Sequence, residues 1–377
     1  MNTAQAPALD PVALAGKLIQ IRSADPPGHE IEVAQLVHST MQMLGLESTL
    51  DEFSPGRANV IGRLRGTGNK PSLVFSAHLD TVPPGDQPWS FDPFSGDVVA
   101  GRLRGRGASD MKCAVAAFIA AAQRVQTCGA ALAGDLILAF TAGESANCLG
   151  ARRLVKQGFQ REIGAFLCGE PSSLDLVVAE PAVLWLTARA KGAIGHVSGA
   201  AGVNAITLMT AFLHRLDGLQ IDLPTHPLLG PPTLNVGTIQ GGSAINVTPD
   251  LCLAGLDIRF GPGTSPEQAT RQIAPYLPEG VTFEVSDFKP AVVEDPDNPF
   301  VRCAATALQQ RTGRDPSIGG VSYYSDAAIL LDGLDVPFVI LGPGDLGMSG
   351  QPDESASAER IHQVVDVYAD IARDWLR

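Results

Sequence analysis

The chain has 377 residues, of which 45% are hydrophobic and 18% charged, as in an ordinary globular protein with enough apolar material for a core. Its net charge of −13 argues against binding to nucleic acid or to an anionic membrane surface. The six cysteines include no Cys-x-x-Cys pair, the first residues lack the pattern of a signal peptide, and no apolar run is as long as a membrane span, so we expect a cytoplasmic protein.

Short apolar runs alternate with helical patterns in the first part of the chain and return near its end. Strands are predicted at 72–77, 135–141, 165–168 and 336–341, and an Ala-rich helix at 112–125. This alternation is typical of an α/β fold with a mainly parallel sheet. In such sheets ligands bind outside the carboxyl ends of the strands. We therefore expect the functional residues directly after these runs.

The stretch between these two parts has a different pattern. It contains alternating strands at 184–191, 234–239 and 251–259, a helix at 203–216, a second helix beginning near 265 and a last strand at 281–285. This set predicts a small α+β domain, inserted at 183–289, because the α/β pattern resumes afterwards. The discontinuous main domain would then comprise 1–182 and 290–377.

Four polar segments follow the predicted strands or begin the predicted helix. His78 and Asp80 could be a metal ligand with the carboxylate that fixes its tautomer, or a chance pair in a surface turn. Asp110 could be a ligand or the N-cap of the helix that follows it. Glu144 could be a general base or a solvated carboxylate. Glu170, between glycine and proline, could be a rigidly held ligand or an ordinary turn residue.

Taken together, these segments resemble the M20 family of zinc-dependent metallopeptidases and deacylases. The order and spacing of the matching segments are highly specific, and the resemblance covers essentially the whole chain. The matching segments are His78-Leu79-Asp80, Trp89, Asp92-Pro93-Phe94, Gly105-Arg106-Gly107, Asp110-Met111-Lys112, Gly169-Glu170-Pro171, Gly195-His196, Gly202-Val203-Asn204-Ala205, Gly241-Gly242-Ser243-Ala244-Ile245-Asn246, Leu256-Asp257-Ile258-Arg259, Ser325-Asp326 and Gly342-Pro343-Gly344.

The resemblance implies a zinc-peptidase-like catalytic domain with an inserted, ferredoxin-like lid. It implies that His78, Asp110 and Glu170 bind one zinc ion, with Asp110 normally bridging to a second. Glu144 would be the general base that takes a proton from the attacking water, and Asp80 would orient the imidazole of His78. The expected substrate is the amide bond of an N-acyl amino acid or small peptide.

The same resemblance implies roles for three residues of the inserted domain. His196 would stabilise the tetrahedral intermediate, typically in the site of a partner subunit, so a homodimer through the lid is expected. Asn246 and Arg259 would hold the substrate, with Arg259 the candidate for binding a substrate carboxylate. No nucleic acid and no membrane partner is expected.

The chain departs from the family at two ligands of the second zinc ion. Ser145 stands where a carboxylate is expected directly after the general base, and Gly350 stands where a histidine is expected near the C-terminus. No histidine lies between His226 and His362, and Cys148 is the one nearby soft ligand that could substitute. The first site keeps three ligands and an open position, which is the composition of a catalytic mononuclear zinc site. Cobalt or manganese could replace zinc there.

Three functions are compatible with this pattern. The first is a one-zinc amidohydrolase that uses Glu144 as base. The second is a non-hydrolytic enzyme on the same scaffold that forms or transfers an amide, and the third is a catalytically inactive ligand-binding protein. The retention of Glu144 and His196 favours the first function, because binding alone requires neither residue.

Overall fold

The computed structural model describes residues 7–196, 198–199 and 202–377. No helix within these ranges has both the length and the apolar composition that crossing a membrane requires. The α-helices are, in chain order, α1 (Pro11–Gln20), α2 (Ile31–Met43), α3 (Lys112–Thr127), α4 (Leu149–Lys156), α5 (Ala205–Leu216), α6 (Pro266–Ile273), α7 (Pro299–Thr312), α8 (Ala327–Leu330) and α9 (Ala358–Trp375). Short 3-10 helices lie at Phe159–Glu162 and Ala274–Tyr276.

The β-strands are, in chain order, β1 (Glu47–Ser54), β2 (Arg57–Leu64), β3 (Ser72–His78), β4 (Val98–Val99), β5 (Arg102–Arg104), β6 (Leu136–Thr141), β7 (Ile163–Cys168), β8 (Leu176–Glu180), β9 (Ala182–Lys191), β10 (Gly195–His196), β11 (Thr233–Gly241), β12 (Val247–Thr248), β13 (Leu251–Phe260), β14 (Val281–Lys289), β15 (Val292–Val293), β16 (Ile318–Gly320), β17 (Phe338–Ile340) and β18 (Ser355–Ser357).

The largest sheet has the strand order β1-β2-β6-β3-β7-β17-β8-β15, with β16 paired to β8. Its four central strands, β6, β3, β7 and β17, are mutually parallel. The pairs β1–β2, β2–β6 and β8–β17 are antiparallel. The predicted α/β class with a mainly parallel sheet is confirmed. All residues of β6 are buried, which explains why the sequence of this strand is an unbroken apolar run.

Helix α3 shows how the sequence determines the core of this part of the fold. Its Ala-rich segment has no polar face, and almost all of its side chains are buried. A helix that is apolar all round must be covered on all sides. The small alanine side chains allow close packing, and the ring of Phe118 stacks on Phe75 of β3 with the centroids 4.9 Å apart.

The described structure divides into two compact units. Unit 1 comprises residues 7–178, 293–319 and 325–377, and unit 2 comprises 179–292 with 320–324. Unit 2 contains an antiparallel sheet of order β11-β13-β9-β14, whose alternate side chains pack on α5 and α6. Helix α6 begins with a capping box, in which Ser265 and Gln268 each bond to the main chain of the other.

Candidate metal centre and active site

Three candidate residues follow neighbouring parallel strands of unit 1. His78 is the last residue of β3, Glu144 lies just beyond β6, and Glu170 lies just beyond β7. Because parallel strands present their carboxyl ends at one edge of the sheet, these residues converge although they are far apart in the chain.

His78, Asp110 and Glu170 form a group that has the donor set of a metal site. One ligand atom from each lies within 4.8 Å of the others. Among the residues that the structure describes, this is the cluster of histidine and carboxylate side chains close enough together to hold a metal ion. The Nε2 atom of His78 lies 3.0 Å from Asp110 and 3.7 Å from Glu170. His78 and Glu170 are buried, whereas Asp110 is partly exposed. Imidazole and carboxylate are ligands that zinc accepts, and the exposed side leaves access to the centre.

The other nitrogen of His78 is fixed by the main chain. Nδ1 lies 2.9 Å from the carbonyl oxygen of Asp80, and 3.7 Å from the carboxylate of the same residue. A carbonyl oxygen can only accept, so Nδ1 carries the proton in this bond. The lone pair of a neutral His78 is then on Nε2, which faces Asp110 and Glu170.

The carboxylate of Asp80 binds the segment that follows β6. It accepts hydrogen bonds from the main-chain N–H groups of Glu144 at 3.0 Å and Ser145 at 3.1 Å, and from the Ser145 hydroxyl at 2.8 Å. Asp80 is fully buried, so these three bonds hold the segment that carries Glu144. The side chain at 145 thus points to a protein carboxylate.

Asp110 does not cap α3. The residue at the N-cap is Met111, which makes no side-chain capping bond, whereas the Asp110 side chain faces His78. The main-chain N–H of Asp110 donates instead to Glu354, whose Oε1 also accepts from the N–H groups of Gly107 and Ser109. The fully buried Glu354 therefore holds the loop that presents Asp110.

Glu354 is paired with the equally buried Arg106. Their side chains meet at 2.5 Å, and the guanidinium also donates to the carbonyl oxygens of Gly350 and Gln351. The guanidinium lies over the ring of Trp89, with Cζ 5.0 Å from the ring centroid. One ion pair thus fixes both the Asp110 loop and the loop that follows β17.

The loop after β17 reaches Asp110 through Ser349. The Ser349 hydroxyl donates to Oδ2 of Asp110, while Oδ1 of Asp110 faces His78. Gly350 follows with φ +73°, a left-handed conformation that favours glycine. Cys148, the alternative soft ligand, is buried and hydrogen-bonds to Asp326.

The centre concentrates negative charge around one imidazole. Burial raises the pKa of Glu144 well above its ordinary value, and the carboxylates of Asp326 and Asp80 raise it further. Burial and the charge of Asp110 likewise raise the pKa of Glu170. Burial alone would lower the pKa of His78, but the surrounding carboxylates raise it well above its usual range. Such mutual repulsion is relieved when a cation occupies the space between the carboxylates.

The remaining candidates lie in unit 2. The exposed His196 has Nε2 3.2 Å from the Asn246 amide nitrogen and Nδ1 2.6 Å from the Ser198 hydroxyl. Arg259 donates from Nε and Nη2 to the Asp257 carboxylate, at 2.9 Å and 3.0 Å, and from Nη1 to the carbonyl oxygen of Ser322. Several of its donors are thus bonded within this unit.

The sequence assigns no role to Glu354, Ser349 or Arg106, although each shapes the centre. The Gly-Arg-Gly segment at 105–107 is the sequence feature that could have indicated a role for Arg106. Glycine on both sides of a charged residue is typical of a loop whose backbone packs closely against other segments. The structure agrees, since Gly105 and Gly107 have φ of +135° and +89°. Ser349 and Glu354 lie in a polar loop that gives no comparable local signal.

The chain is similar to several known proteins. A family model described as peptidase family M20/M25/M40 matches residues 74–374. The succinyl-diaminopimelate desuccinylase of Rhodospirillum centenum is 31% identical over 381 residues, which cover 97% of each chain. A metallo-carboxypeptidase of the M20 family from Sulfolobus solfataricus has a TM-score of 0.79 at 16% identity, covering 97% of this chain and 98% of that one. A dinuclear metal-binding M20 peptidase from Bacillus subtilis has a TM-score of 0.71 at 17% identity, covering 97% of both chains. These two structures share the fold.

Proposed function

Because the chain belongs to peptidase family M20/M25/M40, we propose that it is a metal-dependent hydrolase that cleaves the amide bond of an N-acyl amino acid or small peptide with a single zinc ion. The observation that carries this proposal is the convergence of His78, Asp110 and Glu170 within 4.8 Å beside the buried Glu144. The desuccinylase relative acts on an N-succinyl compound, which supports an acylated amino compound as substrate.

The residues present fit one divalent cation. The three ligand atoms converge, and the Nε2 lone pair of a neutral His78 is directed at the two carboxylates. Burial, and after it the charge of Asp110, raises the pKa of Glu170, and a cation beside these carboxylates would offset both effects. When bound, the cation supplies Lewis-acid polarisation of the substrate carbonyl and of water. Imidazole and carboxylates do not choose sharply among zinc, cobalt and manganese, so the identity of the ion requires measurement.

A single ion is proposed because Ser145 and Gly350 offer no strong ligand. The hydroxyl of Ser145 is bonded to Asp80, and glycine has no side chain. The Bacillus subtilis peptidase with the same fold is dinuclear. We expect this chain to differ from it in metal content.

Glu144 is the proposed general base. It takes a proton from the attacking water and delivers a proton to the departing amine, so it must bind and release protons near the working pH. Burial raises the pKa of Glu144 above its ordinary value, the carboxylates of Asp326 and Asp80 raise it further, and the Asp80 carboxylate accepts a hydrogen bond from its main-chain N–H. The expected contribution of such a group is about 10²–10⁴ in rate.

Unit 2 supplies the proposed substrate-binding residues. Asn246 and Arg259 hold the substrate, with the guanidinium N–H groups beyond those bonded to Asp257 and Ser322 available for a carboxylate. His196 stabilises the negatively charged intermediate in the site of a partner protomer, so the enzyme is a homodimer through unit 2. A cytoplasmic location completes the proposal.

The first test is metal content of protein purified without added metal, combined with hydrolysis of N-acetyl and N-succinyl amino acids and dipeptides. One ion per chain with amide hydrolysis is expected. Glu144→Gln should lower kcat by about 10²-fold or more while the ion is retained. Glu32→Gln, an exposed glutamate of α2, is the matched control and should behave as wild type.

The alternatives give different results in the same experiment. Unchanged kcat in Glu144→Gln would exclude this residue as the base. One ion without release of amino acid would favour a non-hydrolytic or ligand-binding protein. Two tightly bound ions per chain would contradict the single-metal proposal.

A further inference from the structure

Two serine hydroxyls donate to carboxylates of the centre, and neither belongs to the proposed set of ligands. Ser145 donates to Oδ2 of Asp80 at 2.8 Å, and Ser349 donates to Oδ2 of Asp110. In each carboxylate the serine bonds to Oδ2, whereas Oδ1 is the oxygen nearer to His78. These two contacts require an explanation beyond the single-metal proposal.

We infer that Ser349 and Ser145 are positioning residues that shape a one-ion centre: Ser349 limits Asp110 to one coordinating oxygen, and Ser145 locks the Glu144 segment onto Asp80. The inference rests on the proposed single-metal function. The two serines give a structural reason why the carboxylates of this centre would bind one cation.

The Ser349 contact is built on a rigid support. Oδ1 of Asp110 faces His78, so the bond from Ser349 leaves Asp110 a single oxygen for a cation. The two partners of this bond are held by the same buried ion pair. Glu354 accepts from the N–H of Asp110, and Arg106 donates to the carbonyl oxygen of Gly350, the residue after Ser349. These bonds place the Ser349 hydroxyl beside Asp110, although Ser349 itself is exposed.

Glycine at position 350 permits the observed path of this loop. A Cβ there would meet only Val82 at 3.8 Å, so space is available for a side chain. The φ of +73° is nevertheless a conformation that residues other than glycine rarely adopt. A residue with a side chain at position 350 would therefore strain the loop that carries Ser349.

The Ser145 contact acts on the general base. Both oxygens of the buried Asp80 carboxylate accept from the segment Glu144-Ser145, and the Ser145 hydroxyl is the side-chain part of that clamp. A carboxylate at position 145 in the same conformation would face Asp80 with like charge. Serine instead adds a donor, and so strengthens the attachment of the Glu144 main chain.

The test separates the two serines by different measurements. Zinc affinity of the metal-free protein is measured by competition with a chromophoric chelator, and the cobalt-loaded protein is examined by visible absorption, whose intensity falls as the coordination number rises. Ser349→Ala should weaken binding of the ion about tenfold, as expected for loss of a group that orients a metal-binding carboxylate. It should also lower the cobalt absorption, because Asp110 can then coordinate through both oxygens.

Ser145→Ala should leave the zinc affinity and KM near wild type and lower kcat roughly fivefold, the equivalent of one net hydrogen bond. Ser349→Thr and Ser145→Thr keep the hydroxyl and should restore most of each loss. Ser39→Ala, an exposed serine on α2, controls for removal of a serine hydroxyl as such.

Several outcomes would overturn the inference. In a protein that binds one ion, wild-type zinc affinity and an unchanged cobalt spectrum in Ser349→Ala would remove the role of Ser349. Unchanged kcat in Ser145→Ala would remove the role of Ser145. A wild-type protein that binds two ions would instead contradict the single-metal function itself, whatever the serine variants do.

Discussion

Removal of the Glu354 carboxylate tests how the centre is supported. Glu354 is fully buried, pairs with the buried Arg106 at 2.5 Å, and accepts three main-chain N–H bonds at 2.9–3.1 Å. Glu354→Ala leaves a buried guanidinium without its counter-ion and three donors without their acceptor. Breaking a buried ion pair on one side costs about 3–5 kcal/mol. That is a large share of the roughly 5–15 kcal/mol that stabilises a typical protein.

Urea unfolding followed by far-ultraviolet circular dichroism measures this loss, with excess chelator present so that metal binding does not contribute. Glu354→Gln retains an acceptor oxygen but presents an amide N–H₂ to Arg106, so an intermediate loss is expected. Glu359→Gln, an exposed glutamate in the first turn of α9, is the control and should change the free energy of unfolding by no more than about 0.5 kcal/mol.

Metal affinity is the second measurement, because Glu354 holds the Asp110 loop. We expect Glu354→Ala to weaken zinc binding about 10–100-fold. A Glu354→Ala protein that loses less than about 1 kcal/mol and keeps its zinc affinity would refute the reasoning that this ion pair supports the centre. Equal losses in the alanine and glutamine variants would show that the charge matters and the acceptor oxygen does not.

Three further predictions concern other parts of the chain. Gly143 has φ +69°, and an added Cβ would lie 2.5 Å from Nη2 of Arg57. Gly143→Ala should therefore lower the free energy of unfolding by about 1–3 kcal/mol. A Gly143→Ala protein as stable as wild type would show that the added methyl group causes neither strain nor a steric clash. Burial would raise the pKa of Asp345, but Arg102 and Arg360 hold it below its ordinary value. The stability that this carboxylate contributes is therefore present above its pKa in the unfolded chain, and it is lost as the pH falls through its lower pKa in the folded protein. Asp345→Asn should cost about 1 kcal/mol at pH 7, and the difference from wild type should shrink progressively in urea unfolding as the pH falls below the ordinary aspartate pKa of 3.8; a difference that does not shrink at all on acidification would contradict this assignment. Ser265→Ala removes the capping box of α6 and should cost about 1 kcal/mol in thermal or urea unfolding, whereas Ser265→Asp should retain most of the capping energy.

The sequence determined the elements of the fold and where the candidate residues would lie. Apolar runs such as β6 are buried on both faces, and the Ala-rich α3 is buried all round, so burial is encoded in their composition. Parallel strands bring their carboxyl ends to one edge of a sheet. The convergence of His78 and Glu170 could therefore be predicted from the ends of their strands.

Tertiary structure alone decided the partners of these residues. Glu354 and the N–H of Asp110 are 244 positions apart in the chain, and Ser349 is 239 positions from Asp110. Asp80 was expected to orient His78 through its carboxylate, yet the structure places its carbonyl oxygen nearest the imidazole. Hydropathy and spacing record which face of an element is buried. They do not record which loop conformation brings a hydroxyl or carboxylate within hydrogen-bonding distance, because that depends on backbone geometry and contacts between distant segments.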